Sequence, residues 1–355
     1  MKIELNKNKV YFNNGSLKKE IHPFWLRERV DGEEFLDKGT QQRLFDPTSL
    51  DSEILINRAY INDEFLEIDF NDGVNSKLNI NKLALEFSNE DIIIKSIPKT
   101  KWDSTLKNIK NYEYQDNFFE SKEMHDLLVS FYKYGFVIIK NIPTNNNFIV
   151  KFANSIGSVR KTNFGEYFDV KSKPNPNDLA YTSLNLSPHT DNPYRNPVPC
   201  IQLLHCIENE VSGGLSTLVD GFTVTEDLKN ENLKFYKILC DVKVRFRFID
   251  KEVVLEDWSE LIKLNDDKTF KQVRFSPRMD YVPILDKEKL DLYYKARKKL
   301  SEMYNSKKYK IEFKLVSKDL MMIDNYRLLH GRTAYETKEG NRFLQGCYID
   351  YDSTE

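Results

Sequence analysis

Of the five histidines in this chain of 355 residues, His189 stands two positions before Asp191 in LSPHTDNPYR (186–195). His330 closes an apolar stretch in IDNYRLLHGRTAYE (323–336), and Arg342 follows in NRFLQGCYIDYD (341–352). Two neutral imidazoles and one carboxylate on a single face of a metal are what a mononuclear non-haem Fe(II) centre needs, because the remaining positions stay open for a co-substrate and O₂. An H-x-D pair suits that geometry, since residues i and i+2 of an extended segment project to the same side. The second imidazole must return from far along the chain on a facing strand. His330 fits, with HGR read as a turn at a strand end. His205, in IQLLHCIE, reads instead as a hydrogen-bonded packing histidine. An arginine after the distal histidine is what 2-oxoglutarate chemistry requires, as a charge-assisted two-pronged clamp on the distal carboxylate while the keto acid end chelates iron. H-x-D alone is a weak pattern; H-x-D, a distal H-G-R and a following arginine, in that order, is a much stronger one.

The elements that must position these residues are mostly strands. Residues 1–90 show short segments of period two (KIELNKNKVYF, SEILINRAYI, EFLEIDF, SKLNI) separated by turn formers such as NNG, NDG and DGEE, which predicts a small β-rich unit. The charged stretch IPKTKWDSTLKN (97–108) reads as a connector, so the domains are expected at 1–100 and 101–355. SKEMHDLLVSFYKYG (121–135) has helical apolar spacing and ends on glycine, and FVIIKNIP reads as a buried strand stopped by proline. From residue 198 onward CIQLLHCIE, STLVDGF, CDVKVRFRFI and FLQGCYIDY predict strands, interrupted by one lysine-rich helix, DKEKLDLYYKARKKLSEMYNS, whose charges read as a solvated face. No internal repeat or low-complexity tract is present.

Bulk properties remove other classes of function. A length of 355 residues suits one large domain with a smaller one. With 53 basic and 55 acidic side chains the formal charge is −2, which argues against bulk attraction to nucleic acid. The amino terminus reads as a strand rather than a secretory signal, and no apolar run approaches the roughly 18 residues of a membrane span. Four cysteines without C-x-x-C spacing predict neither a disulfide framework nor a thiolate zinc site, and a cytoplasmic location fits best.

With these motifs in view, LAYTSLNLSPHTDNPYRNPVPCIQLLHCIENEVSGGLSTLVDGF (179–222), the two later segments and the N-terminal HPFWLRERVDGEEF…GTQQRLFDP (22–47) resemble the γ-butyrobetaine hydroxylase and trimethyllysine hydroxylase branch of the taurine-dioxygenase-like Fe(II)/2-oxoglutarate oxygenases. The likeness covers nearly the whole chain. It implies a mainly β protein with flanking helices: a double-stranded β-helix (jelly-roll) catalytic domain behind a small N-terminal β-rich domain. By motif match it implies that His189, Asp191 and His330 bind iron and that Arg342 holds 2-oxoglutarate, with O₂ as the second co-substrate. Ser216, in GGLST, sits where a hydroxyl assists the clamp in related enzymes, although an ordinary strand serine would look the same. The resemblance also suggests a homodimer. One departure is plain: eukaryotic relatives bind a structural zinc through cysteines and a histidine in the N-terminal domain, whereas the first cysteine here is Cys200, so zinc is not expected and that domain must rest on its own core.

Hydroxylases of this branch hold a trimethylammonium group in an aromatic cage, by cation–π attraction to ring faces. Motif matching places Phe164, Phe168, Tyr181 and Tyr348 at the cage positions, though each aromatic alone could be core filler. Tyrosine and tryptophan are usual at the first two positions, so the cage is altered. Asp178 stands where butyrobetaine hydroxylases carry an amide and trimethyllysine hydroxylases an aspartate able to pair with an α-ammonium. Arg278, in RFSPRMDYVP, replaces an asparagine-rich stretch and could bind a carboxylate or phosphonate, or pair with Asp178. The leading expectation is hydroxylation of a small quaternary ammonium compound, γ-butyrobetaine first, with trimethyllysine or a trimethylaminoethyl phosphonate as the alternative. A non-catalytic ligand-binding member of the fold and an oxygenase of protein side chains are the rivals from other classes.

Overall fold

The computed structural model describes residues 2–88, 97–107, 109–145, 147–172 and 182–354. The chain divides into two compact units, Met1–Lys95 and Ser96–Glu355.

In the first unit, β1 (Lys2–Asn6), β2 (Lys9–Asn13) and β3 (Lys18–Glu20) form one antiparallel meander. After the short helix α1 (Pro23–Arg27), a second meander follows: β4 (Ile56–Asn62), β5 (Phe65–Phe70) and β6 (Asn75–Asn79), continued by α2 (Ile80–Ser88). The period-two pattern is literal in β5, whose Leu66, Ile68 and Phe70 are buried while their neighbours are partly exposed. These side chains join Val10, Phe12 and Leu26 in one apolar cluster. The cysteine-free segment after α1 is fastened by Arg27, a buried guanidinium paired with Asp72 at 2.7 Å and lying 5.6 and 5.2 Å from the rings of Phe35 and Phe45.

The second unit begins with β7 (Asn111–Glu113), α3 (Lys122–Tyr134), β8 (Phe136–Lys140), α4 (Phe148–Asn154) and β9 (Phe168–Val170). Helix α3 follows from the sequence signals: the Ser121 side chain caps its first turn, Met124, Leu127 and Phe131 form its buried stripe, and Gly135 ends it at φ 83°. Next come β10 (Leu186–His189), β11 (Ile201–Asn209), β12 (Ser216–Asp220), α5 (Gly221–Glu231) and α6 (Leu233–Asp241). The hairpin β13 (Lys243–Ile249) and β14 (Val254–Glu260), the short strands β15 (Ile262–Leu264), β16 (Phe270–Val273) and β17 (Asp280–Tyr281), and the lysine-rich α7 (Lys287–Asn305) follow. The unit closes with β18 (Lys310–Phe313), β19 (Leu320–Asp324), β20 (Leu328–Arg332) and β21 (Arg342–Ile349).

Two sheets organise this unit. One has six strands in the order β7-β8-β19-β11-β21-β9, the other four in the order β10-β20-β12-β18. Leu204, Met321, Ile323 and Leu344 of the first share an apolar cluster with Leu218, Ile311 and Leu328 of the second, so the sheets are packed face to face. The architecture is therefore mostly sheet with some helices, as expected. Helices α5 and α6, in a region expected to be mostly strand, are an addition. The Asp220 and Asn232 side chains cap them, and Val224, Leu228, Ile238 and Leu239 bury one face against the core that also takes α7. Among the described residues no helix is long and apolar enough to cross a membrane.

Candidate metal centre and its two-lobed cavity

His189 ends β10 and His330 lies within β20, and the antiparallel register places the two directly opposite each other. Their ring centroids are 4.5 Å apart. The HGR segment is not the turn that the sequence suggested: β20 runs on through Gly331 and Arg332, paired with Thr217 and Ser216 of β12. Gly331 is there for room. A Cβ at that position would lie 2.3 Å from the Leu186 carbonyl and 2.9 Å from Thr217 Oγ1, so only glycine lets β10 and β12 approach on either side.

Asp191 follows β10 and turns its carboxylate toward both rings, with Oδ1 3.4 Å from His189 Nε2 and 3.7 Å from His330 Nε2. One ligand atom from each of the three residues can be chosen so that all lie within 4.8 Å of one another. The two Oδ1–Nε2 separations, 3.4 and 3.7 Å, are ones that a single cation with bonds of about 2.0–2.2 Å can bridge. The surrounding contacts divide the roles of the atoms. His189 Nδ1 lies 3.0 Å from the Ser187 carbonyl, which fixes the tautomer that leaves Nε2 as the lone-pair nitrogen. Asp191 Oδ2 accepts from Gln202 Nε2 at 2.7 Å and from the Tyr348 hydroxyl at 2.8 Å, so Oδ1 alone is left to face the imidazoles. Gln202 and Tyr348 are themselves cross-strand partners on β11 and β21.

The loop carrying Asp191 is pinned by Asn325, a fully buried side chain that accepts from the Asp191 N–H at 2.8 Å and donates to the Asp191 and Pro199 carbonyls. Burial pushes the His330 imidazole down to about 4, against the opposing charge of Asp191, which keeps the ring neutral at neutral pH. Burial acts to raise the Asp191 carboxyl, but the two histidines and the hydrogen bonds outweigh it and hold the group well below the usual carboxylate range. Burial beside Asp191 raises the Tyr348 phenol well above its ordinary value, so it stays a donor. Two imidazoles and one ionised carboxylate make a donor set that fits a divalent transition metal.

Two lobes of cavity meet at His189 and Asp191, and His330 lines the first of them. The first is lined by Ser216, Gly331, Arg332, Arg342, Gln202 and Leu204. Arg342 is nearly buried, and its Nε donates to the Gly214 carbonyl at 3.3 Å. Ser216, also buried, shares this lobe with it, so the two residues expected at a dicarboxylate are brought together. The second lobe is lined by Phe164, Phe168, Tyr194, Tyr348, Ser276 and Arg278. Phe168 lies 6.3 Å from Phe164 and 5.4 Å from Tyr348 between ring centroids. It reaches Tyr348 across Gly346, where a Cβ would fall 2.4 Å from Phe168 Cζ. Arg278 is exposed at the rim and has no ion-pair partner among the described residues. Tyr181 and Asp178 lie outside the described residues.

His205 is fully buried in β11, with its imidazole pushed down to about 4 by burial against a smaller opposing influence of the Ile142 backbone. It is a core residue, away from both lobes.

Sequence reasoning missed several residues here. Gln202 and Asn325 gave only the faint signal of a polar side chain inside an apolar run. Tyr194 sits in the segment first singled out, three positions after Asp191, and its ring stacks on Phe248 at 5.0 Å. Ser276 is brought in by Thr190, whose N–H and Oγ1 both bond the backbone of Phe275 at 2.9 Å.

The comparisons agree with this geometry. Over 337 residues the chain is 28% identical to the γ-butyrobetaine dioxygenase of Pseudomonas sp. (strain AK-1), covering 94% of this chain and 88% of that one. It is 26% identical over 347 residues to the mitochondrial trimethyllysine dioxygenase of Bos taurus, covering 92% and 79%. In fold it is similar to the non-heme iron oxygenase OrfP, solved in complex with Fe and alpha-ketoglutaric acid, with a TM-score of 0.52, 14% identity and coverage of 70% of this chain and 95% of that one. The Taurine catabolism dioxygenase TauD, TfdA family matches residues 105–348, a stretch that holds every residue of both lobes. This chain belongs to that family.

Proposed function

We propose that the protein is an Fe(II)- and 2-oxoglutarate-dependent dioxygenase that hydroxylates a C–H bond of a small trimethylammonium compound, with γ-butyrobetaine as the first substrate. The observation that carries this reading is the pair of unlike lobes, one cationic and lined by His330, one aromatic, that meet at His189 and Asp191. In this reading the three residues hold iron, which when bound supplies the activation of O₂ needed to oxidise an unactivated C–H bond. Arg342 receives the distal carboxylate of 2-oxoglutarate with Ser216 beside it. The two packed sheets are the halves of a double-stranded β-helix, which is why the proposed ligands can come from opposing strands.

The aromatic lobe orients the substrate. A quaternary nitrogen has no proton to donate, so ring faces are its available partners, and Phe164, Phe168, Tyr194 and Tyr348 supply them. Arg278 favours a substrate with an acidic far end, which suits γ-butyrobetaine. A trimethylaminoethyl phosphonate meets the same requirement and is the second reading; trimethyllysine would need Asp178 for its α-ammonium.

Succinate release from 2-oxoglutarate across γ-butyrobetaine, trimethyllysine and the phosphonate tests this. The reading predicts that γ-butyrobetaine stimulates turnover most. Turnover no faster with any of them than without substrate would sink it.

A further inference from the structure

Beside the proposed iron ligands, one buried ring touches both arginines of the co-substrate lobe. The Cζ atoms of Arg332 and Arg342 lie 5.6 and 5.5 Å from the centroid of Tyr335. All three side chains are less than one-tenth exposed, and both arginines line the lobe that also holds Ser216 and His330. Two guanidiniums close together in a poorly solvated cavity repel each other, so each needs a partner that fixes where its charge points. The electron-rich face of an aromatic ring is such a partner, and it leaves the N–H groups of the guanidinium fork free for a carboxylate.

The surroundings hold Tyr335 to this position. Its N–H donates to the Ser183 carbonyl at 3.1 Å, and its hydroxyl is 2.8 Å from Ser172 Oγ. On the other side, the Gly213–Gly214 pair fits against it without room to spare. A Cβ on Gly213 would lie 3.1 Å from Tyr335 Cα, and one on Gly214 would lie 2.7 Å from Arg342 Nε. Gly214, at φ +64°, also offers the carbonyl that takes the Arg342 Nε proton. Arg342 thus has a carbonyl against its Nε and a ring against its Cζ, while Arg332 is drawn off by the Thr182 carbonyl.

We propose that Tyr335 is a positioning residue for the dicarboxylate co-substrate: its ring aims the Arg342 guanidinium at the distal carboxylate of 2-oxoglutarate and keeps Arg332 from competing for that place. The inference rests on the proposed co-substrate reading. It assigns to the ring face, rather than the hydroxyl, the discrimination between 2-oxoglutarate and a 2-oxo acid without a second carboxylate.

The test is anaerobic calorimetry of the Fe(II)-loaded protein with 2-oxoglutarate and, separately, pyruvate, for wild type, Tyr335→Phe, Tyr335→Met and Tyr335→Leu. If wild type binds neither acid, the co-substrate reading itself fails. If wild type prefers 2-oxoglutarate, Tyr335→Phe is expected to keep that preference within about 2-fold. Tyr335→Met is expected to weaken 2-oxoglutarate by about 3- to 30-fold and leave pyruvate unchanged. Tyr335→Leu provides the same comparison should the methionine variant not fold. Equal weakening of both acids, or none, overturns the proposal, because a merely structural role would not single out the distal carboxylate.

Discussion

Tyr348 donates its hydroxyl hydrogen to Asp191 Oδ2 at 2.8 Å, and this leaves Oδ1 as the carboxylate oxygen facing His189 and His330. The same ring forms a wall of the aromatic lobe. The two contributions separate in Tyr348→Phe, which keeps the ring and removes the hydroxyl. Loss of one such hydrogen bond to a metal-binding carboxylate costs about 10-fold or more in metal affinity. Anaerobic Fe(II) titration should show that loss, while the KM for the quaternary ammonium substrate changes little. An unchanged iron affinity would mean that Gln202 alone fixes Asp191.

Gly331 sits between two strands with no room for a side chain. Gly331→Ala forces β20 away from β10, and overpacking of this kind costs about 1–3 kcal/mol. Because the displaced pairing is the one that opposes His189 to His330, thermal melting should show a lower midpoint and metal analysis a lower iron content.

Arg278 is an exposed cation at the rim of the aromatic lobe. If it meets the acidic end of the substrate, Arg278→Met raises the KM for γ-butyrobetaine by about 10-fold, the lower end for a charge-assisted bond in a solvated place. A quaternary ammonium compound without an acidic group should be unaffected by the change. Equal effects on both would assign Arg278 to the fold rather than to the substrate.

His205 and His330 both have imidazoles pushed down to about 4, from an ordinary value of 6.5. In the unfolded chain these rings take up protons near 6.5 while the folded chain refuses them until about 4. Stability is therefore full above pH 6.5 and is lost as pH falls from there toward 4. For His205 the loss between pH 7.5 and 5 is about 2 kcal/mol. Urea unfolding of metal-free protein at the two pH values should show His205→Leu less acid-sensitive than wild type by roughly that amount.

Some of this was legible in the sequence because its signals are local. His189 and Asp191 carry their spacing within three residues, His330 and Arg342 their order, and β5 and α3 their periodicities. What escaped depends on partners distant in the chain. Asn325 holds Asp191 across 134 positions, and nothing near either residue announces the pairing. Gly331 looked like a turn former because glycine usually is one; here the close approach of a neighbouring backbone demanded it. Helices α5 and α6 are hard to read from the sequence because each is short and lies between apolar strand-like segments, and their capping residues, Asp220 and Asn232, carry the signal.

The central claim, that His189, Asp191 and His330 form an iron centre serving 2-oxoglutarate, is tested most directly by anaerobic visible spectroscopy of protein given Fe(II) and then 2-oxoglutarate. The account predicts a weak charge-transfer band that saturates at one iron per chain, is abolished in Asp191→Ala, and is reached only at higher 2-oxoglutarate in Arg342→Met. Folded wild-type protein that shows no band, or an equal band in Asp191→Ala, would contradict it.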